Sequence, residues 1–231
     1  MNTINDASSY FNANWKRYQS AIANNTLFHK EMGEAFKQFL KQNKMDAFTM
    51  VDVGCGDSST MLPLLAQANI KNYIGIDAAP DVLQMAEKNM AAIPCKKEFI
   101  CDNMINAIVN IPSSIDIIYT SCAVHHLSSQ EKFNFIQNAQ HKLKQDGYLI
   151  MIDGVLANHQ TRDEWIDALA QRMKQTLMLT EEELELRLQH PRAADYPESI
   201  ETFEKFAQTQ QWKSFNVLVD KGIVALMVFG K

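Results

Sequence analysis

Asp52, Gly54 and Gly56 alternate where the apolar residues Phe48, Met50, Val51 and Val53 give way to a turn. Asp77 closes a second short run, Tyr73-Ile74-Gly75-Ile76, 21 residues after Gly56. Two such glycines let a backbone turn sharply and approach a ligand where a Cβ would collide. A carboxylate about 20 residues further on, at the tip of the next strand, stands where it can accept hydrogen bonds from ribose hydroxyls. Together they predict a site for a nucleoside-type cofactor. A pyrophosphate fingerprint, G-x-G-x-x-G, would carry a third glycine where this chain has Ser59, and it has no use for an acid at Asp52. An acid there suits a cationic ligand. Ser58 or Ser59 is expected to cap the helix that follows, whose free N–H groups would face the ligand.

The segment Asp52-Val53-Gly54-Cys55-Gly56, taken with Asp77, resembles motifs I and II of the class I S-adenosylmethionine (SAM) dependent methyltransferases of the bacterial small-molecule type. The family's frequent third glycine, two residues after Gly56, is Ser58 here. The resemblance implies an α/β fold, a Rossmann-like three-layer sandwich whose seven-stranded mixed sheet ends in antiparallel strands six and seven. It implies SAM as cofactor, S-adenosylhomocysteine as product, and methyl transfer to an N, O or S atom of a small molecule. Cofactor contacts are implied for Asp52, Gly54, Cys55, Gly56, Asp77, Ala78 and Ser121. Asp102-Asn103, at the end of a third strand, would meet adenine, although an acid at a strand end can equally cap a helix.

His125 and His126 follow the fourth strand, Ile115–Cys122, at the end of a parallel sheet where ligands bind. The segment is similar to the H-H-L passage of small-molecule methyltransferases and lacks the Asp/Asn-Pro-Pro-Tyr/Phe motif of nucleic-acid N-methyltransferases. On that resemblance His126 is the catalytic candidate, with Tyr18 as its N-terminal partner, and His125 a substrate contact. The mixture Trp15-Lys16-Arg17-Tyr18, Asn24-Asn25 and His29-Lys30-Glu31 resembles the N-terminal cap helices of the same enzymes. Such caps imply that Arg17 holds the SAM carboxylate, a task suited to a bidentate donor, and that His29 borders the substrate. His190, Arg192, Asp195 and Tyr196 gather around Pro191 and Pro197. They either line a substrate pocket under a lid, which would make Arg192 and Tyr196 substrate contacts, or stabilise a loop.

The elements that must position these residues are readable from periodicity. Phe28, Met32, Ala35, Phe36, Phe39 and Leu40 form the stripe of an amphipathic helix, and Tyr10 and Phe11 before it are expected to pack. Helices are predicted after the glycine turn through Met61–Leu65, from Asp81 to Ile93, and from Ser129 to Lys144. Gln145-Asp146-Gly147 is expected to turn into a fifth strand, Tyr148–Asp153. Trp165, Leu169 and Met173 mark another helix, and Thr180 should cap the acidic start Glu181-Glu182-Glu183. Two β-rich runs, Trp212–Val219 and Ile223–Phe229, joined by Asp220-Lys221-Gly222, predict a closing hairpin. The resembled family adds such a hairpin, whereas dinucleotide dehydrogenases generally lack it. One domain is expected: a helical cap over 1–44, a SAM-binding core over 45–154, a helical cap insertion over 155–195, and a helix with hairpin over 196–231.

With 231 residues, 46% hydrophobic and 21% charged, the chain can bury a substantial core. A net charge of −5 without a Lys/Arg cluster argues against a nucleic-acid partner. No apolar run approaches the ~20 residues of a membrane span, and the polar start is unlike a signal peptide, so a cytoplasmic location is expected. The four cysteines, Cys55, Cys95, Cys101 and Cys122, fit neither a zinc nor a disulfide spacing and read as small buried residues. No metal site is read from the sequence, and the oligomeric state is left open between monomer and homodimer. Competing readings are a SAM enzyme that does not methylate, such as a SAM-derivative synthase, and a non-catalytic SAM-binding protein. An NAD-dependent oxidoreductase is disfavoured by Ser59 and the hairpin.

Overall fold

A computed structural model describes residues 15–231; Tyr10 and Phe11 lie outside the described residues. Five strands, β1 (Phe48–Val53), β2 (Ile70–Asp77), β3 (Lys96–Cys101), β4 (Ile115–Ser121) and β5 (Leu143–Leu156), run parallel in the spatial order β3-β2-β1-β4-β5. A two-residue strand, β6 (Glu198–Ser199), lies beside the end of β5. The terminal hairpin, β7 (Ser214–Asp220) and β8 (Val224–Gly230), adds antiparallel to β5 in the order β5-β8-β7. The sheet therefore has the expected seven-strand path, with β6 as a short addition off it.

The strands alternate between two packed layers. Met50, Tyr73, Ile117, Tyr119, Ile150 and Ile152 face one core, with helices α2 (His29–Gln42), α7 (Arg162–Thr176) and α8 (Glu181–Ala194) over them. Val51, Val53, Ile74, Ile118, Leu149 and Met151 face the other, under α5 (Met104–Asn110), α6 (Ser129–Lys142) and α9 (Ile200–Thr209). Each fully buried large side chain contributes about 1.5–3 kcal/mol, and burial on both faces explains why these strands read as continuous apolar runs rather than alternating ones. The remaining helices are α1 (described over residues 15–23), α3 (Leu62–Leu65) and α4 (Pro80–Met90).

Several local expectations change in the structure. The helix after the glycine turn shrinks to the four residues of α3, and its cap position is Met61, without a side-chain hydrogen bond. Ser58 is not a cap; it takes a left-handed φ of 55° and turns its hydroxyl to Tyr73 Oη at 2.9 Å. Gln145-Asp146-Gly147 does not precede a fresh strand. β5 begins at Leu143, and a register shift between Ile115 and Ile117 of β4 absorbs the extra residues. Of the cysteines, Cys101 is exposed rather than buried. Thr180 does cap α8, in a capping box with Glu183.

The chain goes from β1 outward to β2 and β3, then crosses to β4 and β5 on the other side. That reversal leaves a crevice beyond the carboxyl ends of β1 and β4, the place where such sheets bind ligands. Two segments roof the crevice, α1 from one side and the α7–α8 pair from the other. They are tied together: Arg172 of α7 donates to Thr26 O (3.1 Å) and Asn25 O (3.0 Å) and stacks over Phe28 at 4.1 Å. Among the described residues no helix is long and apolar enough to cross a membrane.

Candidate functional site

The glycine turn is built by hydrogen bonds from the next strand. Gly54 N and Cys55 N both donate to Ile76 O, at 2.8 and 2.9 Å, and Gly56 N donates to Asp77 Oδ2 at 2.9 Å. Asp77 Oδ1 accepts from Ala79 N at 2.9 Å, so one carboxylate fixes both the turn and the start of α4. Gly54 and Gly56 have φ of 74° and 54°, a conformation that L side chains rarely adopt. A Cβ on Gly54 would lie 2.7 Å from Ala123 Cβ, and one on Gly56 would press on the Trp15 ring. Gly54→Ala is therefore expected to cost ~1–3 kcal/mol and to lower the melting temperature by about 2–12 °C. Thermal unfolding by circular dichroism checks this.

Beyond the turn opens a cavity of about 660 Å³. Its wall includes Asp52, Gly54, Cys55, Gly56, Asp77, Ala78, Asp102, Asn103 and Ser121, every candidate cofactor residue except Arg17. Trp15, Tyr18 and Ile22 of α1 cover it, and Gln19 Nε2 reaches Asp57 Oδ2 at 3.3 Å to hold that helix against the glycine turn. Five carboxylates (Asp52, Asp57, Asp77, Asp102, Glu131) and no Lys or Arg among the described residues line it. Asn103, not Asp102, caps α5, its side chain accepting from Asn106 N at 3.0 Å. Asp102 keeps one oxygen on Asn103 N at 2.8 Å and faces the cavity.

Asp52 is buried and accepts a hydrogen bond from Tyr73 Oη at 2.8 Å. Burial pushes its carboxyl up to about 7, against the Tyr73 hydrogen bond and with help from Asp77. The fold thus favours the protonated acid. Its contribution to stability is present below the ordinary carboxylate range and is lost as pH rises through about 7. A cation in the cavity reverses the preference. Affinity for a cationic ligand is expected to fall as pH drops from 8 to 6, with proton release on binding near pH 6–7. Calorimetric titration in buffers of different ionisation enthalpy reads both, and Asp52→Asn should abolish the proton release.

A second cavity, about 150 Å³, adjoins the first; Tyr18, Cys122 and His126 line both. Its remaining wall is mainly apolar, including Leu27, Trp165, Leu169, Met173 and Val224, with Arg17 and Arg187 also on it. Arg17 therefore lies at the smaller cavity, not the larger. The phase of α1 explains it: Trp15, Tyr18 and Ile22 share one face, while Arg17 and Ala21 sit about 100° per residue around the helix. Arg187 Nη1 also draws that turn toward α8 through Arg17 O, at 3.1 Å. Burial raises the Tyr18 phenol well above its ordinary range, which keeps it a neutral donor. Burial likewise raises the Cys122 thiol to about 12.

The histidine pair sits on a 3-10 turn, Val124–His126, after β4. His125 Nδ1 pairs with Asp153 Oδ1 at the end of β5, and His125 N donates to Asp153 Oδ2 at 3.0 Å. Burial opposes a charge on His125, but Asp153 and then Asp195 outweigh it and lift the imidazole to about 9. His126 Nδ1 lies 3.2 Å from Asp195 Oδ1. Burial would raise Asp195, yet His125 and His126 beside it bring its carboxyl down to about 2. His190 stacks edge-on against His126 with centroids 5.1 Å apart, and burial lowers it to about 4.

The other expected substrate contacts separate. Tyr196 is half exposed, lines the larger cavity and donates its N–H to His125 O at 2.7 Å. His125 lines only the smaller cavity. His29 lines neither; it packs edge-on behind Tyr18 at 6.3 Å, and burial lowers it to about 4. Arg192 also lines neither and pairs with Glu185 at the surface. Sequence reasoning missed Asp153, Lys132 and Arg162. Lys132 is buried and donates to Leu127 O (2.6 Å) and to Tyr196 O, lacing the post-β4 loop to the loop before β6. Arg162 donates to Asp195 O (2.6 Å), Pro191 O (2.8 Å) and Arg192 O (2.7 Å), gathering the end of α8. An acid closing a predicted strand, as Asp153 does, was the available signal; nothing local marks the other two.

Residues 50–147 match the family model described as "Methyltransferase domain". An uncharacterized methyltransferase of Bacillus cereus is 23% identical over 156 residues, 67% of this chain and 70% of that protein. A Bacillus thuringiensis relative of the same description is 25% identical over 158 residues, again 67% and 70% of the two chains. Among solved structures, a plantazolicin methyltransferase in complex with a monoazolic desmethylPZN analog and SAH superposes with TM-score 0.69, at 14% identity, over 97% of this chain and 93% of that one. Magnesium protoporphyrin IX methyltransferase from Synechocystis PCC 6803, with bound SAM, gives 0.67 at 10% identity over 100% and 98%. These likenesses show that the fold is shared along the whole described chain.

Proposed function

The chain is a class I SAM-dependent methyltransferase, and from that premise we propose that it methylates a small molecule seated in the smaller cavity. The observation that carries this reading is the junction: Tyr18, Cys122 and His126 line both cavities, so a group in one meets a group in the other there. Asp77 would hold the ribose, Asp102 and Asn103 the adenine, and Asp52 the cationic end, with Gly54, Cys55, Gly56, Ala78 and Ser121 shaping the wall. The sulfonium already makes the methyl carbon electrophilic. The protein then has chiefly to align the acceptor with the C–S bond, and orientation of this kind supplies ~7–11 kcal/mol.

An acceptor that must lose a proton would do so at the corner formed by His126 and Asp195. Tyr18, held neutral, would donate a hydrogen bond across the same gap. Two structural neighbours are named as methyltransferases of magnesium protoporphyrin IX and of plantazolicin, the second in complex with a desmethylPZN analog, which supports the acceptor class. The free thiols Cys55, Cys95, Cys101 and Cys122 suit a reducing cytoplasm. The test is methyl-label transfer from SAM to a panel of small amines, alcohols and thiols. Labelled product is expected, with His126→Ala lowering kcat ~10²–10⁴-fold for acceptors that lose a proton. Transfer to nucleic acid alone, or a non-methylated SAM derivative as product, would overturn the reading.

A further inference from the structure

Three imidazole nitrogens converge on one carboxylate oxygen in the wall of the smaller cavity. From Asp195 Oδ1, His126 Nδ1 stands at 3.2 Å, His190 Nε2 at 3.6 Å and His125 Nε2 at 3.7 Å. Oδ1 is buried and makes no hydrogen bond, and His126 Nδ1 also lies 3.3 Å from Ala194 O. Donor–acceptor pairs would close to about 2.9 Å along a straight N–H···O line. Separations of 3.2, 3.6 and 3.7 Å around one buried oxygen are also those of neighbouring corners of a coordination shell. With zinc bonds of about 2.0–2.1 Å, neighbouring tetrahedral ligands lie about 3.3 Å apart. His125, His126 and Asp195 each offer one ligand atom, all within 4.8 Å of one another, and the His190 ring borders them.

The surroundings hold these ligands as metal ligands are held. Asp153 grips His125 at Nδ1 and at its backbone N–H, which leaves Nε2 directed at the cluster. A carboxylate on the far nitrogen of a ligating histidine is the usual outer partner of such sites. Arg162 fixes the carbonyl of Asp195, and Tyr196 N fixes that of His125. All four residues line the smaller cavity and His126 lines the larger as well, so an open coordination position would face the junction. The ligand set mixes imidazole nitrogens with a carboxylate oxygen, a set that suits zinc and its divalent neighbours.

We propose that His125, His126 and Asp195, bordered by His190, form a divalent transition-metal site that holds the methyl acceptor. The proposal rests on reading the smaller cavity as the acceptor's. An acceptor hydroxyl or thiol bound at the open position loses its proton to solvent because the ion stabilises the anion. The oxygen or sulfur lone pair then forms the new bond to the methyl carbon. The C–S⁺ bond pair returns to sulfur, which leaves neutral S-adenosylhomocysteine. His126 acts here as a ligand, and the ion takes up the task of lowering the acceptor's pKa.

The test needs neither SAM nor acceptor, so it stands apart from the methyl-transfer reading. Chelator-stripped protein is titrated with ZnCl₂ by calorimetry and with CoCl₂ by visible absorption. One equivalent per chain is expected, with a tetrahedral or five-coordinate cobalt spectrum. His126→Gln and Asp195→Asn should weaken the metal at least ~10–100-fold, and Asp153→Asn by a similar factor. Asp77→Asn, at the other cavity, should leave metal affinity unchanged. Circular dichroism confirms that each variant is folded. No stoichiometric binding, an octahedral aquo-like cobalt spectrum, or binding indifferent to His126→Gln and Asp195→Asn would overturn the site. If the metal binds as expected but no acceptor is methylated, the metal site stands and the functional reading fails.

Discussion

Asp77→Ala is expected to weaken SAM binding by at least ~100-fold while the protein remains folded. The carboxylate has two tasks. Its oxygens accept from Gly56 N and Ala79 N, each at 2.9 Å, so the glycine turn and the start of α4 keep their relative positions. Desolvation of the charge raises its carboxyl, and the amides of Ala79, Gly56 and Ala78 work against that rise. Hydrogen bonds to a charged group contribute ~1.5–3 kcal/mol each. Two ribose bonds of that kind, in the role proposed for Asp77, would account for the hundredfold effect. Asp77→Asn retains one acceptor and should lie between wild type and Ala. Calorimetric titration with SAM decides; unchanged affinity in Asp77→Ala would remove Asp77 from the cofactor site.

Asp153→Ala is expected to be the most damaging of these substitutions to the fold. Asp153 is 1% exposed and meets His125 through both oxygens, while Oδ1 also accepts from Gly154 N at 2.7 Å. Removing one partner of a buried ion pair leaves the other charge uncompensated, at a cost of ~3–5 kcal/mol. For a chain of this length that corresponds to a melting temperature lower by about 6–20 °C. The turn carrying His126 would lose its anchor at the same time. A double substitution, Asp153→Ala with His125→Leu, should recover part of the loss, because the imidazole that Asp153 compensated is then removed as well. Melting temperatures of the single and double variants check this; equal stability of wild type and Asp153→Ala would show that the pair contributes nothing.

How much of this was legible beforehand depends on the range over which the signal acts. Met50–Val53, the glycine turn and Asp77 are neighbours in the chain or one strand apart, so apolar runs, glycines and spacing carry them directly. The closing hairpin was readable for the same reason, with Asp220 and Gly222 turning between two β-rich runs. The length of α3 was not, because Ser58 spends its hydroxyl on Tyr73, fifteen residues away. Arg17 shows a finer failure. The helix was foreseen, but its rotation is set by Trp15 packing over Gly56 and by Arg187 pulling from α8. The convergence of residues 125, 126, 190 and 195 is a property of the folded chain alone, since Pro191 and Arg162 decide where α8 ends.

The wall of the larger cavity has a kinetic consequence. Five carboxylates and no Lys or Arg, among the described residues, surround whatever sits there. SAM carries a sulfonium charge and its demethylated product does not. Each completed transfer therefore cancels a Coulombic attraction inside the cavity while leaving the contacts to ribose and adenine untouched. The expected consequence is weaker binding of the spent cofactor than of SAM, so that turnover itself makes the site less hospitable to what it leaves behind.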